Sequence, residues 1–316
     1  MNSATLGLYG LVLLPPLLLL LATLLSWLLP QRLHLQPLLA NWAEQLQRKT
    51  HHPRRSSGQR TVAGGLGLLL MAAPLLLLSA LAIWHPLLEL ALLTLLLPSR
   101  ELPGSALAQQ LQQGQKEQAR ATLSQWALRD TQPLSSLGIT KAAIELQLER
   151  RASQFFGVSF WYLLGGMPLA MALWISTEVA RHWHIDKPQL APFGGTAHFS
   201  AALMMLPVNG LLGLFLSLYG VLARPWQLRP QLQGRWDQRS QQWLQLCLAC
   251  SLGVQLGGPW QLAGKRLLRP RLGPQQQCQP LHLQRAQRML TMAQTLWLLL
   301  PLLAAIALAW FWHQSR

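Results

Sequence analysis

The strongest constraint on this chain is the way its apolar residues collect into runs, such as 11–29 and 296–312, that carry no charge. A helix of about 20 such residues crosses the hydrocarbon core and satisfies its own backbone hydrogen bonds where no water can. Five segments have that length and composition: 5–29, 62–84, 155–179, 199–223 and 294–312. A sixth, 86–97, is apolar apart from Glu89 but has only 12 residues, roughly 18 Å of helix and too short to cross alone. His85-Pro86 breaks the chain before it, so 62–97 reads as a hairpin with one short arm. The length of 316 residues suggests two soluble domains, but these runs exclude that. Only 11% of the residues are charged, against about 25% in soluble domains. The sequence predicts an all-α, polytopic integral membrane protein with about five to six membrane-embedded helices and helical cytoplasmic loops.

Charge sets the expected sidedness. The chain has 26 Lys and Arg against 10 Asp and Glu, a net charge of +16. Six of the basic residues fall in 30–61, seven in 98–154, two in 180–198, ten in 224–293 and one at Arg316. A hairpin at 62–97 puts the three rich loops on one face, which the positive-inside rule assigns to the cytoplasm, with both termini outside. The layout is then N-terminal helices (1–97), a cytoplasmic segment (98–154), a central membrane hairpin (155–223), a second cytoplasmic segment (224–293) and a last helix (294–316). The first span reads as retained, because no basic residue precedes it and no small-residue cleavage site follows. Trp27, Trp84, Trp161, Trp174, Trp183, Trp310 and Trp312 read mostly as interface anchors.

The polar segments hold the candidate chemistry. Residues 105–128 have loosely helical spacing interrupted at Gly114, and Arg129-Asp130-Thr131-Gln132-Pro133 ends that helix. A second helix from about Leu137 carries Glu145 and Glu149 on one face, followed by Arg150 and Arg151. Two carboxylates so spaced can hold a divalent cation or divide acid and base roles. The plainer reading is a solvated face pairing Lys141 or Arg151. Residues 243–254 form a third helix, ending in a turn at Gly257-Gly258-Pro259 whose bare backbone can approach a ligand. The basic residues Lys265, Arg266, Arg269 and Arg271 follow, suited to anionic lipid headgroups or to phosphates. Nucleic acid is not expected as a partner, since the basic residues are spread and no binding motif accompanies them. Cys247 and Cys250 lie in an apolar helix without a second pair and read as packing residues. The histidines at 51, 52, 182, 184 and 198 lack patterned co-ligands. A transporter is disfavoured, because the spans hold only Glu89 and Glu178, near their edges.

The order of these features resembles the CobD/CbiB family, the adenosylcobinamide-phosphate synthases of cobalamin biosynthesis. Arg129-Asp130-Thr131, then Glu145 and Glu149, then Phe160-Trp161 ahead of Gly165-Gly166-Met167-Pro168 follow the family pattern without a gap. The family's L-G-V-x-L-G-G-P is whole at Leu252-Gly253-Val254-Gln255-Leu256-Gly257-Gly258-Pro259. Departures are Arg150 for asparagine, Ser153-Gln154 for aspartate-glycine, Thr177-Glu178-Val179-Ala180 for an N-T-x-D stretch and Gln245 for glutamate. Paired family aspartates fall near Ala201-Ala202, and an early D-x-x-x-G-D-P is absent. The resemblance implies an ATP- and Mg²⁺-dependent joining of aminopropanol or its phosphate to a corrinoid propionate, with neither cofactor tightly bound. It further implies catalytic roles for Glu145, Glu149 and Asp130, the two glutamates as metal ligands, and substrate contacts from Arg129, Arg150, Gly257 and Gly258. The AmpE family shares the layout, with Glu145-Leu146-Gln147 and Pro207-Val208 as its points of likeness. It implies instead a non-catalytic membrane homologue with a sensing or regulatory role.

Overall fold

The computed structural model describes residues 3–30, 33–52, 54–98 and 104–314. It is an all-α membrane protein with only two short β-ribbons. Four long apolar helices are α1 (Ser3–Leu28), α3 (Ser57–Ala82), α9 (Gly195–Ser217) and α12 (Pro280–Gln314). Between α1 and α9 lie α2 (Leu35–Thr50), α4 (Pro86–Leu96), α5 (Gly104–Gln112), α6 (Lys116–Ser124), α7 (Ser136–Arg151) and α8 (Val158–His182). The bundle continues after α9 with α10 (Ala223–Leu228) and α11 (Trp236–Leu252). Local chemistry marks the ends. Ser56 and Gln59 make a reciprocal capping box at the start of α3, satisfying donors that the first turn leaves open. Gly114, in the left-handed region at φ +75°, separates α5 from α6, so the stretch 105–128 is two helices.

The central apolar segment does not cross the bilayer. Gly165 (φ −148°, ψ 23°) and Gly166 (φ +72°, ψ −166°) interrupt α8, and the second of these is a conformation open essentially to glycine alone. Gln154 Nε2 donates to Glu178 Oε1 at 3.1 Å, and Arg181 donates to Ser153 Oγ at 3.0 Å. In a straight helix, residues 24 apart would stand about 36 Å apart. The segment is therefore a re-entrant hairpin with its tip at the glycine pair and both arms opening on one face. Gly157 sits where the arms approach, and a Cβ there would come within 2.6 Å of Leu173 Cδ2. A π-helical turn, Ala152–Gly157, joins α7 to the first arm. The expected single crossing at 155–179 is thus replaced, and the loop 180–198, expected outside, returns to the side of the basic loops.

Hydrogen bonds tie that face together. Trp183 Nε1 donates to Ala43 O at 3.2 Å and Gln36 Nε2 to Glu178 Oε2 at 3.2 Å, laying α2 across the returning arm. Arg269 reaches Asp186 at 3.4 Å, and the Gly257 N–H reaches Glu145 at 2.8 Å. The described parts of loops 30–61, 98–154, 180–198 and 224–293 meet there, and in the sequence these four loops contain every Lys and Arg except Arg316. The first half of α12 follows α7, with Arg151 to Thr291 at 3.0 Å, and its apolar half leaves alongside the hairpin, with Trp297 Nε1 to Ser159 Oγ at 2.9 Å. Helices α9 and α11 run in the same direction, joined by Asn209–Ser240 and Ser251–Leu216 hydrogen bonds. The outer stripe of α9, Phe199, Leu203, Leu206 and Leu214, is exposed, as expected of a surface facing lipid rather than water. Trp27, Trp84 and Trp310 are exposed near helix ends as anchors would be, whereas Trp174 and Trp183 are buried in the core.

Candidate functional site

Arg129, Asp130 and Glu145 form a joint between the two polar segments. Glu145 is buried on α7, where its Oε2 accepts from Arg129 at 2.5 Å and its Oε1 from the Gly257 N–H. It lies neither on a solvated face nor beside Lys141 or Arg151 in an ion pair. Gly257 has φ +72°, and a Cβ there would press to 2.4 Å from Pro270 O. The ribbon β1 (Leu256–Gly257) with β4 (Arg271–Leu272) depends on that close approach. The next N–H, of Gly258, goes to Pro270 O at 3.0 Å, so both glycine donors are used within the chain. Asp130 performs a similar task on the second ribbon, β2 (Trp260–Leu262) with β3 (Lys265–Leu267). Its carboxylate accepts from Ala263 N at 3.3 Å and Gly264 N at 2.9 Å, while its own N–H donates to Gln261 O. Ala263, at φ +49°, is the one non-glycine residue described in the left-handed region. The aspartate holds that turn.

Glu149, one turn beyond Glu145, has different surroundings. It is exposed to a cleft of about 230 Å³, and none of its oxygens meets a partner among the described residues. Arg129, Arg150, Arg181 and Arg269 line the same cleft. Each is anchored from behind: Arg181 by buried Glu178, Arg150 by Trp126 O at 3.3 Å, and Arg129 and Arg269 by lying over the Trp260 ring at 5.1 and 4.3 Å. Guanidinium groups so fixed present donors without further loss of side-chain freedom. Opposite lies His198, with Nε2 3.0 Å from Asp237 Oδ2. Burial disfavours the Asp237 carboxylate, but the His198 hydrogen bond and Arg235 outweigh it and hold its pKa below the usual range. Burial also pushes the His184 imidazole below its ordinary value, against the pull of Asp186. Spacing gave no hint of the His198–Asp237 pair, since 39 positions separate them and only the parallel run of α9 and α11 joins them.

A second cavity, about 450 Å³, lies behind Trp260 and Arg269. Its floor is one face of α11, where Gln238, Gln241, Gln242 and Gln245 recur at helical spacing. Gln242 is engaged with the Gln233 backbone at 2.8 and 2.9 Å. Gln245 is 8% exposed, and its amide meets no partner among the described residues. In the sequence these glutamines carry no motif, apart from Gln245 standing where the family pattern has glutamate.

Among the described residues no three His, Cys, Asp or Glu side chains group as metal ligands. Magnesium commonly keeps its waters and a nucleotide's phosphates, taking only one or two carboxylates from protein. Glu149 with the four arginines fits an ion brought in on phosphates, whereas Asp130 and Glu145 are committed to the protein's own backbone and Arg129. The cysteines are buried, and burial raises Cys247 to about 12 and Cys250 and Cys278 to about 11, which leaves them inert packing groups.

The CobD/Cbib protein family model matches residues 19–290. Cobalamin biosynthesis protein CobD of Chromobacterium violaceum is 30% identical over 258 residues, covering 77% of this chain and 80% of that protein. CobD of Stutzerimonas stutzeri is 29% identical over 220 residues, 68% of this chain and 71% of its own. Cobalamin biosynthesis protein CbiB of Salmonella typhimurium is 30% identical over 165 residues, about half of each chain (50% and 51%). No solved structure matches. With its cleft and glycine turn built on a matched stretch that runs from the first apolar helix into the last, this membrane protein belongs to the CobD/CbiB family.

Proposed function

We propose that the protein is an adenosylcobinamide-phosphate synthase, joining aminopropanol or its phosphate to a carboxylate of a corrinoid with consumption of ATP. The observation that carries the reading is the cleft itself, in which an unpartnered Glu149 faces four anchored arginines. Arg129, Arg150, Arg181 and Arg269 would hold phosphate oxygens, and Glu149 would meet the ion that accompanies them. Mg²⁺ bound with the nucleotide would supply charge neutralisation during phosphoryl transfer to the corrinoid carboxylate. The amine, losing a proton, would then displace that phosphate to form the amide. His198, with Nε2 engaged by Asp237, has Nδ1 left to take that proton. In this reading Asp130, Glu145, Gly257 and Gly258 contribute by fixing the joint beneath the cleft.

The basic face is assigned to the cytoplasm of a cell's inner membrane, where ATP is made available and the positive-inside rule places such loops. Exposed Arg48, Lys49, Arg54 and Arg55 beside α2 would meet anionic headgroups at about 1 kcal/mol per charge. The test is amide formation: purified protein in nanodiscs with ATP, Mg²⁺, aminopropanol and cobyric acid should yield the amide by mass spectrometry. A second reading, a non-catalytic membrane homologue, is favoured by the structural employment of Asp130 and Glu145. Lack of turnover by protein that retains its fold would select it.

A further inference from the structure

The glutamine-lined cavity adjoins the arginine cleft, sharing Trp260, Arg269, Gln238 and Gln241 with it, but its most buried glutamine, Gln245, has no part in the chemistry above. We infer that this cavity binds the amide-bearing edge of the corrinoid, so that the arginine cleft takes the polyanion and the neighbouring cavity takes a neutral rim of primary amides. The inference rests on the proposed function for the identity of the ligand, and on the cavity for its place.

Three observations carry it. Gln238, Gln241 and Gln245 line the cavity from one face of α11, and none of the three side chains meets a partner among the described residues. Gln245 is more than nine-tenths buried as a residue, and its unpartnered amide is left to the cavity. Trp260 stands between the two cavities, bordering both, and its indole N–H is buried without an acceptor. A primary amide offers two donors and two acceptor sites, and its natural complement is another amide, which pairs with it without charge. The cavity's volume suits an edge of a large ring and not the whole of it. The charged groups on the cavity wall, Arg269, Asp186 and Glu145, are already paired within the chain, and a purely apolar ligand would leave the glutamines unmet.

The experiment reads corrinoid binding by quenching of tryptophan fluorescence in nanodisc-held full-length protein, and Mg²⁺-ATP binding separately by calorimetry. Cyanide-ligated cobyric acid, which carries the amides, should bind at least tenfold more tightly than cobyrinic acid, in which carboxylates replace them. Gln245 borders this cavity and not the arginine cleft, so Q245L should weaken cobyric acid binding tenfold or more and leave Mg²⁺-ATP affinity within twofold. Q245A, with an unfolding temperature close to that of the parent, should give a loss of the same kind. Equal or tighter binding of cobyrinic acid would overturn the inference, as would full cobyric acid affinity in both Gln245 variants or no corrinoid binding by the parent. Binding through the glutamines without amide formation would uphold this site while removing the proposed synthase activity.

Discussion

At the scale of single residues, the two glutamates that look equivalent in the sequence separate into support and function. Glu145 is buried against Arg129 and the Gly257 N–H, and removing one partner of a buried pair costs about 3–5 kcal/mol. Glu145→Ala should therefore lower the unfolding temperature strongly. Glu149→Gln should leave it nearly unchanged and, on the proposed function, reduce amide formation by at least a hundredfold. Equal thermal effects of the two changes would contradict this division. Spacing put both on one helical face, which is correct, but only the returning ribbon at 257 decides which of them is covered. The depressed pKa of His184 has a direct consequence. Its neutral form is favoured in the folded protein, so that contribution is complete above the unfolded value of about 6.5 and is lost as pH falls below it. Melting curves between pH 8 and 5 should show stability declining below that value, and His184→Gln should flatten the decline. Asp237, held low, adds its loss only as pH falls below about 3.8, toward its folded value.

At the scale of elements, the hairpin at 165–166 is where sequence reading and structure part. Its apolar length equals that of a crossing, and hydropathy has no sign for direction. The signals present in the sequence were Gly165-Gly166 with Pro168, and Ser153, Gln154, Glu178 and Arg181 placed symmetrically about them, polar groups that pair only if the helix folds back. Helix α2 is not legible in the sequence for another reason: its apolar face is narrow, with Leu39 and Ala43 buried and Trp42 and Leu46 half-covered. The short ribbons are legible only through their turn residues. Gly166→Ala forces a side chain into a conformation that costs about 1–3 kcal/mol. It should reduce stability by that amount or abolish membrane accumulation. Gly210→Ala in α9, where nothing lies within 4 Å of the added carbon, should be neutral or slightly stabilising. Accumulation of both variants at parental level and stability would count against the hairpin.

At the scale of the whole molecule, the all-α membrane architecture and the face formed by the rich loops followed from apolar runs and charge alone. The fourth loop joined them only through the hairpin. Single cysteines introduced at Glu117, Lys187 and Lys265 should all react with an impermeant maleimide from one side of sealed vesicles, and one at Trp84 from the other. The native cysteines, buried and with pKa values raised to about 11–12, should contribute little background. Reaction at 187 from the side of Trp84 would require a different topology. The closed tip of the hairpin carries a last implication. The cleft lies at the open ends of its arms, which close on each other beyond it, so on the proposed function whatever is made there departs into the compartment that supplied the ingredients. Neither ion gradients nor voltage have a conduit through this element by which to drive the process.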